Sequence, residues 1–114
     1  MRAALLTAAV ALVLAAPAAG AGWSPSAAWM AQARCVHVQE GGWRANSGNG
    51  YFGGFQFSAN TWRSVGGKAD PAFTHPGTPF SASPQEQLYR AWLLWRHDGG
   101  TWRSWGAVGA SCSG

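Results

Sequence analysis

Nineteen residues in the middle of the chain, residues 39–57, constrain the fold most strongly. They combine six glycines, five aromatic rings, four side-chain amides and a single carboxylate, that of Glu40. Glycines allow the backbone to turn sharply and to approach a ligand closely. Rings offer flat apolar platforms, and amides offer directional hydrogen bonds. This mixture favours a groove that binds a sugar polymer over an ordinary core segment.

The first 21 residues have the pattern of a secretory signal peptide. A short basic start is followed by an apolar run over residues 3–15 and by two small-x-small sites that end at Ala18 and Ala21. The run is shorter than the ~20 apolar residues of a membrane span, so a membrane anchor is the weaker alternative. We therefore expect cleavage after Ala21, or after Ala18. Residues 22–28 are then expected to form a flexible tail, and residues 29–114 one small domain.

Two cysteines, Cys35 and Cys112, lie near the two ends of that domain. Export permits a disulfide, and a bridge closing so long a loop would contribute about 4 kcal/mol to stability. Two free thiols or a metal pair are the alternatives, but no CxxC or HxxxH spacing supports a metal. We predict a Cys35–Cys112 disulfide, no metal and no cofactor.

The charge and the tryptophan content limit the possible partners. Without Arg2, seven basic and four acidic residues leave a net side-chain charge of +3. A mildly basic exported protein is attracted to anionic polymers such as bacterial wall material. No basic cluster or nucleic-acid motif is present, so we expect no nucleic-acid partner. Most of the eight tryptophans are expected in the core, with one or two in a groove.

Hydrophobic periodicity predicts three helices. The first covers residues 29–39 and is stopped by two glycines, and the second covers residues 58–65 with Ser58 as its N-cap. The third begins at Pro84, has Ser83 as N-cap with Glu86 completing a capping box, and ends at residues 99–100. Turn residues 46–50 predict a short hairpin that pairs residues 43–45 with residues 51–52. Residues 68–82 read as an irregular connection, and residues 101–113 as a tail without a predicted element.

Glu40 is the candidate catalytic residue. It lies at a helix end beside Trp43, where partial desolvation would raise its pKa into the range useful for a general acid. A solvated helix-terminal glutamate is the alternative.

The other titratable residues form no catalytic constellation. We expect Asp70 in a turn, Glu86 in a helix cap and Asp98 in solvent, so no second carboxylate for a two-carboxylate glycosidase is indicated. His37 lies three residues before Glu40 and could tune its pKa, although a surface histidine is favoured. His75 and His97 stand alone.

Residues 46–57, N-S-G-N-G-Y-F-G-G-F-Q-F, resemble the N-T-G-N-G-Y-Y-G-G-L-Q-F signature of the resuscitation-promoting factor family, also called transglycosylase-like domains. The following segment carries the family's Thr-Trp and Gly-Gly pairs at residues 61–62 and 66–67. Trp29 and Cys35 match its W-x5-C start. The resemblance covers essentially all of the chain after the signal peptide.

The resemblance implies an α+β, mainly helical, small lysozyme-like domain with a short β-hairpin and one disulfide. It also implies a secreted or wall-associated bacterial enzyme, expected as a monomer without stable membrane insertion, that acts on peptidoglycan glycan strands. In this family a single glutamate cleaves the N-acetylmuramyl–N-acetylglucosamine backbone as a lytic transglycosylase, which needs no second acid. A hydrolytic muramidase and a non-catalytic peptidoglycan-binding relative are the alternatives, and a tryptophan-rich membrane-active peptide is a more distant one.

The sequence departs from the family pattern at the catalytic position. The usual start is C-E-S-G-G-N-W, with the glutamate directly after the cysteine, whereas here Val36 follows Cys35. Glu40 lies one helical turn later, and we assign it the catalytic role. In the competing interpretation Val36 occupies the catalytic position and the domain is inactive.

Five residues are predicted to bind substrate. Gln56 and Thr61 match positions of the family motif, and Asn49, Tyr51 and Trp62 are groove candidates. Asn49 could instead serve only the turn, and Tyr51 and Trp62 could belong to the core.

Overall fold

The computed structural model describes residues 23–68 and 78–114. These residues form four α-helices, α1 (Ala27–Glu40), α2 (Ala59–Ser64), α3 (Pro84–His97) and α4 (Gly106–Cys112), with a 3-10 turn over Arg103–Trp105. Within the described ranges, no helix has the length and apolarity to cross a bilayer. The expected signal peptide, Asp70 and His75 lie outside the described residues.

Serine caps begin the first three helices. The side-chain oxygens of Ser26, Ser58 and Ser83 each accept a hydrogen bond from the backbone N–H three residues later, at 3.0–3.1 Å. This bond satisfies one of the free donors of a helix N-terminus. The caps at Ser58 and Ser83 confirm the prediction, whereas α1 begins two residues earlier than expected.

The segment before α1 packs on the domain. The Trp23 ring makes edge contacts with Trp29, Tyr89 and Trp92, at centroid distances of 5.5–6.0 Å. Residues 23–28, expected as a flexible tail, thus include a helix cap, the first residues of α1 and an aromatic contact.

Tryptophans build the core, as predicted. Four are buried, and the other four pack against the core while partly exposed. Trp29 stacks on Trp102 at 5.4 Å, and the Trp105 ring meets Phe55 edge-on at 6.1 Å. The buried apolar residues are Trp29, Ala33, Val36, Phe55, Phe57, Trp62, Val65, Ala82, Ala91, Leu94, Trp102, Trp105 and Cys112.

The predicted Cys35–Cys112 disulfide is confirmed. It joins α1 to α4, a helix that the glycine-rich tail did not predict. The bond therefore fixes the C-terminal end of the chain against the helix that carries Glu40.

The predicted hairpin is present only as isolated bridges. Asn46 pairs with Phe52, and Phe52 pairs with Phe57. The predicted pairing of residues 43–45 with residues 51–52 is therefore wrong in its register and extent. Positive φ angles at Gly48, Gly50 and Gly53 turn the backbone too tightly for an extended strand.

Candidate active site

A cleft of about 410 Å³ contains Glu40. Residues 49–61 supply part of its lining, which we call the motif wall: Asn49, Tyr51, Phe55, Gln56, Phe57, Ser58 and Thr61. Residues after the start of α3 supply the rest, which we call the C-terminal wall: Leu94, Ser104 and Trp105.

Glu40 is the last residue of α1, where the C-cap Gly41 donates its N–H to the His37 carbonyl at 3.1 Å. Burial raises the pKa of the Glu40 carboxyl above its ordinary value of 4.5. Among the described residues, no hydrogen-bond donor or cation contacts this carboxylate to offset the desolvation. A carboxyl in this environment holds its proton to a higher pH, as a general acid requires.

Val36 lies one turn before Glu40 and belongs to a different environment. It is 0% exposed and packs in the hydrophobic core. Val36 does not line the cleft. The geometry thus favours Glu40 over position 36 as the site of cleft chemistry.

His37 is neither a free surface residue nor a partner of Glu40. Its ring stacks on Trp43 at a centroid distance of 3.7 Å, and Nδ1 donates to the Gly54 carbonyl at 2.9 Å. The sequence expectations for His37 were therefore wrong. The histidine ties Trp43 and the middle of the motif wall, at Gly54, to α1.

Gln56 and Asn49, two of the predicted binding residues, both line the cleft and hold a strained turn. Gln56 has φ 51°, the only positive φ of a non-glycine residue in the described ranges. Its Nε2 donates to the Gly53 carbonyl at 3.1 Å, and Asn49 Nδ2 approaches Gln56 Oε1 at 3.5 Å. Asn49 Oδ1 also accepts from the Tyr51 N–H at 3.0 Å, so Asn49 serves the turn and the cleft together. Left-handed backbone at a non-glycine residue costs energy and concentrates at functional sites.

Of the other predicted binding residues, two line the cleft and one does not. Tyr51 is 51% exposed, which rules out the core alternative for its ring. Thr61 lines the cleft from the first turn of α2. Trp62 is fully buried, packs edge-on against Phe57 at 5.1 Å and donates Nε1–H to the Lys68 carbonyl at 3.0 Å. Trp62 is therefore a core residue, and its assignment to the groove is corrected.

The motif wall is held from behind by Gln87, which the sequence did not single out. This amide is fully buried on α3. Its Oε1 accepts from the Gly54 N–H at 2.8 Å, and its Nε2 donates to the Trp43 and Ala82 carbonyls at 2.9 Å each. The available signal was an amide among the apolar positions of α3. All its hydrogen-bonding groups are used on the backbone, so Gln87 acts as a scaffold residue.

Gly53 and Gly54 have no space for a side chain. A Cβ on Gly53 would lie 2.0 Å from the Pro79 carbonyl oxygen, and one on Gly54 would lie 2.5 Å from the Trp43 ring. These two glycines of the motif therefore permit close packing of the wall against its neighbours.

Asp98 contradicts the expectation of a solvated acid. It is 6% exposed, its carboxylate accepts a hydrogen bond from Ser104 Oγ, and the Arg103 guanidinium lies 3.6 Å away. Ser104 and Trp105, neither of which the sequence assigned to the site, line the cleft beside it. Trp105 Nε1 donates to the Phe55 carbonyl at 3.0 Å and so joins the C-terminal wall to the motif wall.

Glu40 is the only acid among the described residues that line the cleft. Glu86 pairs with Arg90 at 2.6 Å on α3, and Asp98 is engaged behind Ser104. The described parts of the chain contain no group of three side chains suited to hold a metal ion. The described lining of the cleft thus presents one protonatable carboxyl among amides, hydroxyls and rings.

Comparison of the sequence with known proteins identifies the family of this chain. The sequence profile of the transglycosylase-like domain matches residues 23–108. The chain belongs to the transglycosylase-like domain family. The match covers all four helices except the last residues of α4, and it includes every residue of the cleft.

Curated relatives of this family member are resuscitation-promoting factors. Rpf of Micrococcus luteus is 38% identical over 77 residues, which cover 68% of this chain and 29% of the relative. RpfC of Mycobacterium tuberculosis is 44% identical over 72 residues, which cover 63% of this chain and 47% of the relative. Rpf1 of Corynebacterium glutamicum is 35% identical over 96 residues, which cover 84% of this chain and 44% of the relative. The chain spans less than half the length of these relatives.

Proposed function

We propose that this protein is a secreted, peptidoglycan-cleaving enzyme with Glu40 as its single catalytic acid. The observation that carries the proposal is the placement of Glu40 in the cleft, where burial raises its pKa. Membership of the transglycosylase-like domain family supports the reaction class. The substrate is the N-acetylmuramyl–N-acetylglucosamine backbone.

The proposed reaction is that of a lytic transglycosylase. The protonated Glu40 carboxyl donates its proton to the glycosidic oxygen, and the bond between that oxygen and the muramyl C1 breaks. The Glu40 carboxylate then takes the proton of the C6 hydroxyl of the same muramyl ring, whose oxygen bonds to C1. The products are a 1,6-anhydromuramyl end and a free N-acetylglucosamine hydroxyl, and no water is consumed.

One carboxyl suffices for this reaction because the nucleophile is part of the substrate. An internal hydroxyl held near C1 benefits from proximity and needs no second acid to position a water molecule. The lining of the cleft agrees with this requirement, since no other described acid reaches it.

The remaining lining suits a glycan. Sugars present hydroxyls, acetamido groups and apolar ring faces. The cleft offers amides at Asn49 and Gln56, a hydroxyl at Thr61 and an exposed ring at Tyr51. We propose that these four residues bind the strand, and that secretion through the N-terminal signal brings the enzyme to the wall.

The masses of digestion products test the proposal. Purified peptidoglycan incubated with the protein should release muropeptides with 1,6-anhydromuramyl ends, which are lighter than reducing ends by the mass of one water molecule because no water is consumed. Release of reducing ends only would replace the transglycosylase mechanism by hydrolysis. No released muropeptide would contradict the enzyme assignment and leave a wall-binding role.

A further inference from the structure

Asp98 and Ser104 form a pair that the proposed reaction does not use. Ser104 lines the cleft, whereas Asp98 is 6% exposed behind it and accepts the Ser104 hydroxyl hydrogen. The Arg103 guanidinium lies 3.6 Å from the other carboxylate oxygen. A buried acid at a helix C-terminus is unfavourable to the helix dipole, so its position calls for a local reason.

The pair fixes the direction in which Ser104 can hydrogen-bond. The Ser104 hydroxyl donates its hydrogen to a carboxylate oxygen of Asp98. The lone pairs of Ser104 Oγ then remain as acceptors. Within residues 23–68 and 78–114, no N–H or O–H group donates to Ser104 Oγ, so these lone pairs are available to a molecule in the cleft.

The Thr61 hydroxyl has the opposite hydrogen-bonding role to that of Ser104. Ser58 Oγ accepts from the Thr61 backbone N–H at 3.1 Å and donates its own hydrogen to Thr61 Oγ1 at 3.0 Å. The Thr61 hydroxyl therefore keeps its hydrogen for an acceptor in the cleft. The cleft thus holds one hydroxyl set as a donor and one set as an acceptor, each fixed by a neighbour within the chain.

We propose that Ser104 is a specificity-determining residue that accepts a hydrogen bond from an N–H or O–H group of the bound sugar. Asp98 is a positioning residue that holds Ser104 as an acceptor. The inference rests on the proposed function, because it takes the glycan as the occupant of the cleft. The donor on the sugar is either an acetamido N–H or a ring hydroxyl.

Binding of a defined oligosaccharide tests the proposal without turnover. The parent protein is the full chain with Glu40→Gln, and the probe is the tetrasaccharide of alternating N-acetylglucosamine and N-acetylmuramic acid, titrated by calorimetry. In this parent, Ser104→Ala should weaken binding about fivefold, the equivalent of about 1 kcal/mol for one hydrogen bond. Ser104→Thr, which keeps the hydroxyl, should restore the affinity to within about twofold of the parent.

Two further variants separate positioning from structure. Ser111→Ala removes another exposed serine hydroxyl, which bonds within α4 to Val108, and should leave the affinity unchanged. Asp98→Asn places an amide N–H beside Ser104 Oγ and turns the serine into a donor. It should weaken binding about as much as Ser104→Ala, and the double variant should bind no more weakly than either single variant.

An analogue of the tetrasaccharide that carries hydrogen in place of each acetamido group, and so has no N–H at C2, distinguishes the two donors. If the acetamido N–H is the donor, the Ser104→Ala effect disappears with this probe. If a hydroxyl is the donor, the effect persists. Both results support the acceptor role of Ser104.

Two outcomes overturn the inference, and they are distinguishable. If the parent does not bind the tetrasaccharide, the glycan assignment itself fails, and the inference fails with it. If the parent binds but Ser104→Ala and Asp98→Asn bind equally well, only the inference fails. Should Ser104→Ala not fold, Asp98→Asn and Ser104→Thr still decide between these results.

Discussion

The two walls of the cleft are built in different ways. The turns of the motif wall are set locally, by positive φ angles at Gly53 and Gln56 and by side-chain bonds between neighbours, and Gln87 and His37 then hold that wall to α3 and α1. The C-terminal wall depends on distant partners, because Trp105 bonds to Phe55 and α4 is joined to α1 by Cys35–Cys112. A locally shaped wall leaves a signature in a short stretch of sequence, whereas a wall positioned by long-range contacts does not.

The disulfide gives the largest expected difference between the walls. Replacing both cysteines, Cys35→Ala with Cys112→Ala, should lower the free energy of unfolding by about 4 kcal/mol, because the unfolded chain loses a long covalent loop. Urea unfolding measures this change. Native-state hydrogen exchange should accelerate more in residues 102–112 than in residues 49–57. Equal acceleration in both segments would contradict the separate origins of the two walls.

The next largest effect concerns the packing of the motif wall. Gly53→Ala should destabilise the protein by about 3 kcal/mol, because the new methyl group would overlap the Pro79 carbonyl and the residue has a positive φ. Gly48→Ala is the matched control. Gly48 also has a positive φ but has open space around it, so its replacement should cost only about 1 kcal/mol. Similar losses in thermal unfolding would show that packing against residue 79 does not shape this wall.

The contrast also explains what the sequence could predict. Serine caps at residues 58 and 83 and the two-cysteine disulfide follow from local or compositional rules, and all three are confirmed. The turn residues 46–50 correctly indicated reversals of the chain. The same glycines also prevented the extended strands that a hairpin requires.

Five of the eleven residues that line the cleft were candidate site residues in the sequence, and the placement of the others depends on tertiary contacts. Asn49, Tyr51, Gln56 and Thr61 line the cleft with Glu40 as expected. Trp62 was misplaced because a tryptophan on a short helix can face either way, and only its neighbours decide. Asp98 and Ser104 were missed because their pairing depends on how the chain folds back after α3, which no periodicity encodes.

The smallest expected effect is a pH-dependent change in stability that comes from the titration of Glu40. This residue lies in the cleft between the two walls. Burial raises its pKa in the folded protein above the unfolded value, so its contribution to stability is fully present below pH 4.5 and is lost as the pH rises through the folded pKa. The difference in Tm between wild type and Glu40→Gln should therefore favour wild type more at pH 4 than at pH 7.

Removing the disulfide that holds the C-terminal wall should change the pKa of Glu40 more than a substitution in the turn at Gly48 does. In the variant without the disulfide, better access of water should move the Glu40 pKa back toward 4.5. Gly48→Ala should leave the pKa as in wild type. Carboxyl carbon-13 shifts report both values, and an unchanged pKa in the disulfide variant would mean that the C-terminal wall does not desolvate Glu40.

The rate of peptidoglycan cleavage by Glu40→Gln tests the central claim most directly. Glu86→Gln is the matched control, since Glu40 and Glu86 are the only glutamates in the sequence and Glu86 lies outside the cleft. With folding verified for both variants, Glu40→Gln should lower kcat/KM by about 100-fold or more, the size of a lost general acid, while Glu86→Gln retains wild-type activity. Undiminished release of muropeptides by Glu40→Gln would contradict the assignment of Glu40 as the catalytic acid.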